Sequence, residues 1–449
     1  MKGKVRGGIR RMSGILRSAG AVTLLSLLLR LASVFTQSRL AESLGAEGLG
    51  LLQLAMSIQA LAVTLAMSGI RYSATRLIAQ ELGLGRGERV RRVTRACALY
   101  ALTFSLPALA GSFLLAEDLA AFAGDSRIAP ALRLLSLGLP FLSLNGVLGG
   151  YFTAVGRPWK GTAVQLFEQL CGTALILLLL SGQNRGTAES CAAVAGAVAA
   201  GDLASLLLAL VLYRRDLRLL PGSDRPCPSF PLAGRLLRLS LPLAFSSYAR
   251  TALSTLRSLL VPKALRRSGV GAARALEVYG MVGGMVMPVL TFSSVFFLAL
   301  AEQLIPALTR AQVRRDRSDL EVTAGRSLRL CLLLSSGIAL CLWLLGPALG
   351  RWLYRSAEAG ELIRALAPLV IVMYLDTVVD GMLKGLGLQL DSMLINLADA
   401  CLTLLAVWFL LPRFGVPAYI AILYGSECFN FLLSFLRLGR SFGGKGASR

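Results

Sequence analysis

The sequence predicts an all-α polytopic membrane protein. About twelve transmembrane helices would form two six-helix lobes, related by a pseudo-twofold along the membrane normal, with N and C termini cytoplasmic. Three observations carry this prediction. Of the 449 residues, 55% are hydrophobic, against about 45–50% apolar in a soluble chain even when glycine is counted. The mean hydropathy of +0.67 is concentrated in blocks of roughly 20 residues, the length that crosses about 30 Å of hydrocarbon. The cations between these blocks also alternate from gap to gap.

The spans fall at 18–41, 49–79, 96–115, 128–154, 162–181, 190–213, 239–264, 278–308, 328–349, 363–387, 391–411 and 417–437. The gaps and tails at 1–17, 82–95, 156–160, 213–238, 310–329 and 437–449 hold 29 of the 47 Lys and Arg. The opposite gaps include the acidic runs Glu42…Glu47 and Glu117-Asp118…Asp125. Basic residues accumulate on the cytoplasmic side of a membrane, so this bias orients the chain. Arg266, Arg267 and Arg274 depart from it, on the outer side.

The stretch 213–238 carries Pro221-Gly222, Pro226, Pro228 and Pro231, a density that cannot continue a helix. It reads as a linker, which divides the chain into a tail 1–17, an N-lobe 18–213 with helices 1–6, a cytoplasmic linker 214–238, a C-lobe 239–437 with helices 7–12, and a tail 438–449. The lobes repeat. Asn145-Gly-Val-Leu-Gly-Gly150-Tyr-Phe-Thr-Ala-Val-Gly156 resembles Asp376-Thr-Val-Val-Asp-Gly381-Met-Leu-Lys-Gly-Leu-Gly387 at an offset of 231 residues. Six spans per repeat make the repeats parallel.

The net charge of +23 does not indicate nucleic acid. The cations sit in short runs between apolar spans, without the aromatic interleaving of single-strand binders. There is no histidine, which removes Ser-His catalysis, His-ligated metals and histidine acid–base chemistry. The eight cysteines form no CxxC pair and read as small buried hydrophobes. The basic start and apolar run look superficially like a secretory leader. The run is too long for one, so it reads as a retained first span.

Candidate functional residues are the charges inside spans. Arg30 lies mid-way along the first, and Arg250 and Arg257 open the second half seven residues apart, on one helical face. An arginine at a bilayer centre costs about 2.5–3.5 kcal/mol on insertion scales, so it normally faces a polar cavity or a partner. Ser26, Ser33 and Gln37 accompany Arg30, and Ser246, Ser247 and Ser254 accompany the later pair. Such stripes suit a cleft that receives an anion, since guanidinium binds phosphate oxygens bidentately. The alternative is pairing with buried carboxylates or snorkelling to an interface. Arg71, after Ser68-Gly69 in the second span, is a further candidate.

Asp376, Asp380 and Lys384 form one stripe on the tenth span, spaced i, i+4, i+8. They read either as a self-neutralised patch or as an ion-coupling site. Asp202, Glu168, Asp399 and Glu427 are further intramembrane carboxylates, each a candidate coupling group or arginine counter-ion. No P-loop, strand-linked GxGxxG or other catalytic signature is present. The chain therefore reads as a non-enzyme with no cofactor and no metal, and any energy coupling would come from an ion gradient or the membrane potential.

Leu44-Gly-Ala-Glu-Gly48-Leu-Gly-Leu-Leu-Gln53-Leu-Ala, Leu65-Ala-Met-Ser-Gly69-Ile, Gly156-Arg-Pro and Gly387 resemble the polysaccharide-flippase branch of the multidrug/oligosaccharidyl-lipid/polysaccharide exporter superfamily, and its sporulation members in particular. The resemblance implies a bacterial plasma-membrane transporter working by alternating access. Its cargo would be a lipid-linked saccharide such as an undecaprenyl-pyrophosphate cell-wall precursor, for spore-cortex or cell-wall synthesis. Membrane lipids, and cell-wall or polysaccharide synthesis enzymes, are the implied partners. In related lipid II flippases, first-helix arginines serve the pyrophosphate, and Arg30 falls where one of them would. A second, six residues on, falls at Thr36. Those flippases have fourteen spans where this chain has twelve. The rival readings are a cation-coupled multidrug antiporter of the same superfamily, a non-transporting scaffold for cell-wall enzymes, and a membrane-embedded glycan-processing enzyme.

Overall fold

Glycine decides where the first long apolar helix turns. In the computed structural model, which describes residues 2–67, 69–84, 87–180, 186–217, 232–314 and 317–443, α1 (Lys2–Met67) is interrupted at Gly45 by φ 67° and ψ −179°. Only glycine adopts that geometry without strain, so the first two spans divide there. Gly69, at φ 70°, separates α1 from α2 (Ile70–Gly83). The remaining helices of the first half are α3 (Gly87–Leu114), α4 (Ala116–Ala123), α5 (Ala129–Ser136), α6 (Leu139–Ala154), α7 (Pro158–Leu180) and α8 (Thr187–Leu217).

The second half contains α9 (Leu232–Arg267), α10 (Ala272–Gly280), a π-helical turn Met281–Val286, α11 (Met287–Leu290) and α12 (Ser294–Val313). It continues with α13 (Arg317–Tyr354), α14 (Ala357–Leu366), α15 (Leu369–Gly385), α16 (Gln389–Phe409) and α17 (Leu411–Gly443). Among the described residues every regular element is helical.

Among the described residues nine helices are long and apolar enough to cross a membrane, and up to eleven when two bent pairs count as spans. Dividing the first at Gly45 and joining α10 to α12 as one span follows the sequence order. The arginine-bearing α9, too rich in Ser, Thr and Arg to pass on apolarity alone, completes a twelve-span layout. Residues 218–231 of the expected linker lie outside the described residues.

The chain forms two compact units. One comprises Met1–Arg39 and Leu51–Thr255, the other Leu40–Gly50 and Leu256–Arg449. The division thus runs through α9 at Thr255, and the turn around Gly45 is grouped with the second unit.

Inside the first unit, α5 and α6 form a bent pair at 44°. Asp125 caps the preceding 3₁₀ turn by accepting from the Arg127 backbone N–H, and Gly156 closes α6 at φ 76°. Gly150 lets α6 approach α2, since a Cβ there would stand 2.7 Å from the Arg71 carbonyl oxygen. Around this crossing Ile70, Ile78, Cys97, Tyr151 and Phe152 are fully buried.

The second unit repeats the plan 231 residues on. Here α14 and α15 are bent by 51°, Ser356 caps α14 by accepting from Ala359 N–H, and Gly387 closes α15 at φ 78°. A Cβ on Gly381 would stand 2.7 Å from that of Ala301 on α12. Tyr374 stacks on Phe297 at 4.1 Å and donates its hydroxyl to the Leu290 carbonyl at 2.7 Å. In this unit the start of the second span also crosses α10 backbone to backbone. A Cβ on Gly50 would lie 2.2 Å from the Leu276 oxygen, and one on Gly280 2.2 Å from the Ala46 oxygen.

Candidate functional site

The charged side chains inside spans fall into different surroundings, which spacing along a helix does not reveal. Arg30 is half-buried on the first arm of α1. Just beyond it, Thr36 donates to the Ala32 carbonyl at 2.8 Å and lies 2.6 Å from the Thr173 hydroxyl, while Gln169 donates to it at 2.9 Å. This buried polar knot holds α1 against α7 and so positions Arg30 along its helix.

Arg71 is exposed and sits two residues after the left-handed Gly69. Its Nε lies 3.8 Å from where a Cβ on Gly149 would be, at van der Waals distance from that position of α6. Thr75 of the same helix donates to the Gly150 carbonyl at 3.3 Å.

Arg250 is also exposed. Its stretch of α9 is held to the second arm of α1, where Thr255 donates to the Ser57 carbonyl at 2.9 Å and Thr64 to Thr251 at 3.3 Å. Neither Arg71 nor Arg250 forms an ion pair among the described residues. Both therefore present cations without an ion-pair partner among the described residues on membrane-spanning helices.

Arg257 is half-buried, and its electrostatic neighbours are Asp399 and Glu427. Although Arg250 and Arg257 share α9, the division at Thr255 groups Arg250 with the first unit and Arg257 with the second. Ser254 is exposed, and the Ser246 side chain lies outside the described residues.

The carboxylates are equally varied. Asp202 is 3% exposed, with one oxygen 2.3 Å from the position of a Cβ on Gly138 at the α5–α6 bend. Its electrostatic neighbour is Glu168, which accepts from Ser205 at 3.0 Å, and Ser205 accepts from Asn145 at 2.7 Å. Asp380 pairs with Lys384 at 2.5 Å and accepts a hydrogen bond from Ser392. Asp376 has Glu427, Asp380 and Asp399 as acidic neighbours, and its buried Oδ1 has no hydrogen-bond partner among the described residues. Asp399 accepts from Ser426 at 2.8 Å. Among the described residues no group of three His, Cys, Asp or Glu could hold a metal ion.

The Thr36–Gln169–Thr173 knot, and Asn145 and Ser205 as the polar partners of Glu168, escape a reading confined to charges. Their signal in the sequence is the polar residue type at membrane depth, which almost always faces inward and finds a partner.

This architecture is that of the multidrug and toxin exporters. One solved inward-facing multidrug resistance MATE family transporter of the MOP superfamily matches with a TM-score of 0.68 at 14% identity, over 95% of this chain and 96% of that one. The MATE transporter DinF-BH in complex with R6G matches with a TM-score of 0.69 at 17% identity, over 95% of both chains.

Residues 15–312 match the family model described as polysaccharide biosynthesis protein, and the chain belongs to that family. Stage V sporulation protein B of Bacillus subtilis (strain 168) is 25% identical over 398 residues, 86% of this chain and 74% of that protein. The uncharacterized membrane protein YabM of the same organism is 22% identical over 316 residues, 68% of this chain and 58% of that one. The protein is thus a multi-pass membrane protein of the polysaccharide biosynthesis family that shares its fold with the MATE transporters.

Proposed function

We propose that this transporter carries a lipid-linked saccharide with a pyrophosphate head group, of the undecaprenyl-pyrophosphate type, across the bacterial plasma membrane. The observation that carries the reading is the pair Arg71 and Arg250, two exposed guanidinium groups on spanning helices with no carboxylate paired to them among the described residues. A cation at membrane depth is costly without a counter-charge, and an anionic cargo supplies one. Arg30 joins them as a head-group contact because of its place mid-way along the first span. Arg257 is the weaker fourth member, since Asp399 and Glu427 already answer its charge.

In this mechanism the guanidinium forks bind phosphate oxygens while the polyprenyl tail stays in the bilayer, and alternating access presents the head group to each face in turn. The relative named stage V sporulation protein B supports a cell-wall precursor as the cargo, used in spore-cortex or cell-wall synthesis with the enzymes of that synthesis as partners.

A second reading, a cation-coupled drug antiporter, is favoured by one feature, the carboxylates around Asp376 with its unpartnered Oδ1. Asp376 and Asp380 would then be coupling groups. Asp202, wedged at the Gly138 bend, is better suited to bracing that bend.

The test is flipping of a fluorescent undecaprenyl-pyrophosphate saccharide in proteoliposomes, wild type beside Arg30→Ala/Arg250→Ala. Flipping by the wild type and its loss in the folded variant are expected. Wild-type protein that exports a cationic dye and flips no lipid-linked sugar would overturn the reading in favour of the antiporter.

A further inference from the structure

Within the first unit, α3, α6 and α8 enclose a groove of about 480 Å³ that the head-group reading does not use. Its floor is aliphatic, with Leu144 and Leu148 from α6 and Leu206 from α8. Its mouth carries Arg91 and Arg95, one turn apart on α3, and Arg214 on α8. The helices explain this polarity. α3 runs away from its charged first turns, α8 runs towards its charged last turns, and the lining residues bring those two ends to the same mouth. From Leu206 to Arg214 the rise along α8 is about 12 Å, so an apolar trough leads directly to a cationic rim.

All three arginines are exposed, and none forms an ion pair among the described residues. The carboxylate next along α8, Asp216, is buried and held by Arg157 at 2.8 Å and Lys160 at 2.5 Å. The rim charge is therefore unpaired among the described residues, and the rim belongs to the basic stretches 82–95 and 213–238 that the charge bias places on the cytoplasmic side.

We propose that this groove binds an anionic phospholipid of the cytoplasmic leaflet. Its phosphate would sit among Arg91, Arg95 and Arg214, with one acyl chain along the leucine floor. Charge complementarity selects this occupant. A zwitterionic lipid leaves the rim largely unanswered, and a soluble phosphate leaves the apolar trough empty. Basic pockets between membrane helices on this side are recognised by anionic head groups, and guanidinium favours phosphate oxygens.

The test is native mass spectrometry of the full-length protein in mild detergent, titrated separately with phosphatidylglycerol, phosphatidylcholine and undecaprenyl phosphate. One tightly retained phosphatidylglycerol is expected, with phosphatidylcholine much weaker. Each arginine replaced should weaken retention about fivefold, so Arg91→Gln/Arg95→Gln/Arg214→Gln should bring a loss of about a hundredfold. The triple Arg→Lys variant should keep most of the affinity. Ala98→Trp, which fills the trough without changing charge, should also release the lipid, and it stands as the test if the triple Gln variant does not fold.

Equal retention of phosphatidylglycerol and phosphatidylcholine, or retention unchanged in Ala98→Trp, would overturn the proposal. So would tighter retention of undecaprenyl phosphate than of phosphatidylglycerol by the wild type, lost in Ala98→Trp, which would make the groove a cargo-lipid site.

Discussion

Thr36 and Thr173 place their buried hydroxyls 2.6 Å apart, and Gln169 donates to the same Thr36 oxygen at 2.9 Å. Thr36 is the position at which the lipid II flippase pattern would carry its second first-helix arginine. Here the site is 6% exposed and closed by its own hydrogen bonds, so a guanidinium would be buried without a counter-charge. Thr36→Arg is expected to abolish folded protein, because an uncompensated buried charge costs several kcal/mol. Thr36→Val should cost about 1 kcal/mol, read as a lower thermal unfolding midpoint in detergent. A normal midpoint for Thr36→Arg would show that the knot does not constrain the position.

Arg71 and Arg250 should behave alike if both meet phosphate. Charge-assisted hydrogen bonds contribute about 1.5–3 kcal/mol, so either alanine variant should slow flipping roughly ten- to a hundredfold at unchanged abundance. Lysine at either position should recover part of the rate, since it restores charge without the bidentate fork. Initial rates in proteoliposomes decide this, and full activity of Arg71→Ala would remove that residue from the site.

Arg257 should separate from these two. Removing it leaves Asp399 and Glu427 without their cation, a loss on the order of 1–3 kcal/mol. Arg257→Ala should therefore lower the unfolding midpoint, and adding Asp399→Asn should restore much of it. A stable but inactive Arg257→Ala would place this arginine with the cargo-binding set instead.

The crossing of the second span over α10 leaves no room for a methyl group at Gly280. A Cβ there would meet backbone atoms at 2.2 and 2.5 Å, whereas one on Gly284 would meet only the Leu49 side chain, at 3.4 Å. Overpacking costs about 1–3 kcal/mol, and a backbone obstacle cannot swing aside. Gly280→Ala should thus destabilise strongly and Gly284→Ala little, which melting curves of the two variants would show.

Asp380 and Lys384 neutralise one another on α15. The double variant Asp380→Asn/Lys384→Met should keep flipping within about twofold of wild type, because an exposed i, i+4 pair contributes only about 0.3–0.5 kcal/mol. A large loss would assign the pair to ion coupling.

The repeat at offset 231 was legible from sparse identities, and the structure carries it into geometry. Asp125 and Ser356 are both helix caps, Gly156 and Gly387 share nearly the same positive φ, and both bent pairs break at corresponding places. Residue type dictates caps and left-handed turns locally, so local sequence suffices for them. The gap between the spans 18–41 and 49–79 was legible from its acidic run, and the structure puts the break at Gly45.

The candidate site was less legible. The spacing of seven puts Arg250 and Arg257 on one stripe of one helix, yet among the described residues carboxylate neighbours are found for Arg257 and not for Arg250. Those neighbours, Asp399 on α16 and Glu427 on α17, are more than 140 residues away in the chain. Periodicity describes a helix's own surface and says nothing of what packs against it.

The sequence by itself determined the membrane class, the order of the spans, the repeat and the likeness to a polysaccharide biosynthesis family, because hydropathy and turn chemistry act over a few residues or as bulk composition. Tertiary structure decided which intramembrane charges are compensated and which are not, and it assembled the arginine-rimmed groove from α3, α6 and α8. Coulomb energies and cavities depend on distances through space, which are set only when the helices pack.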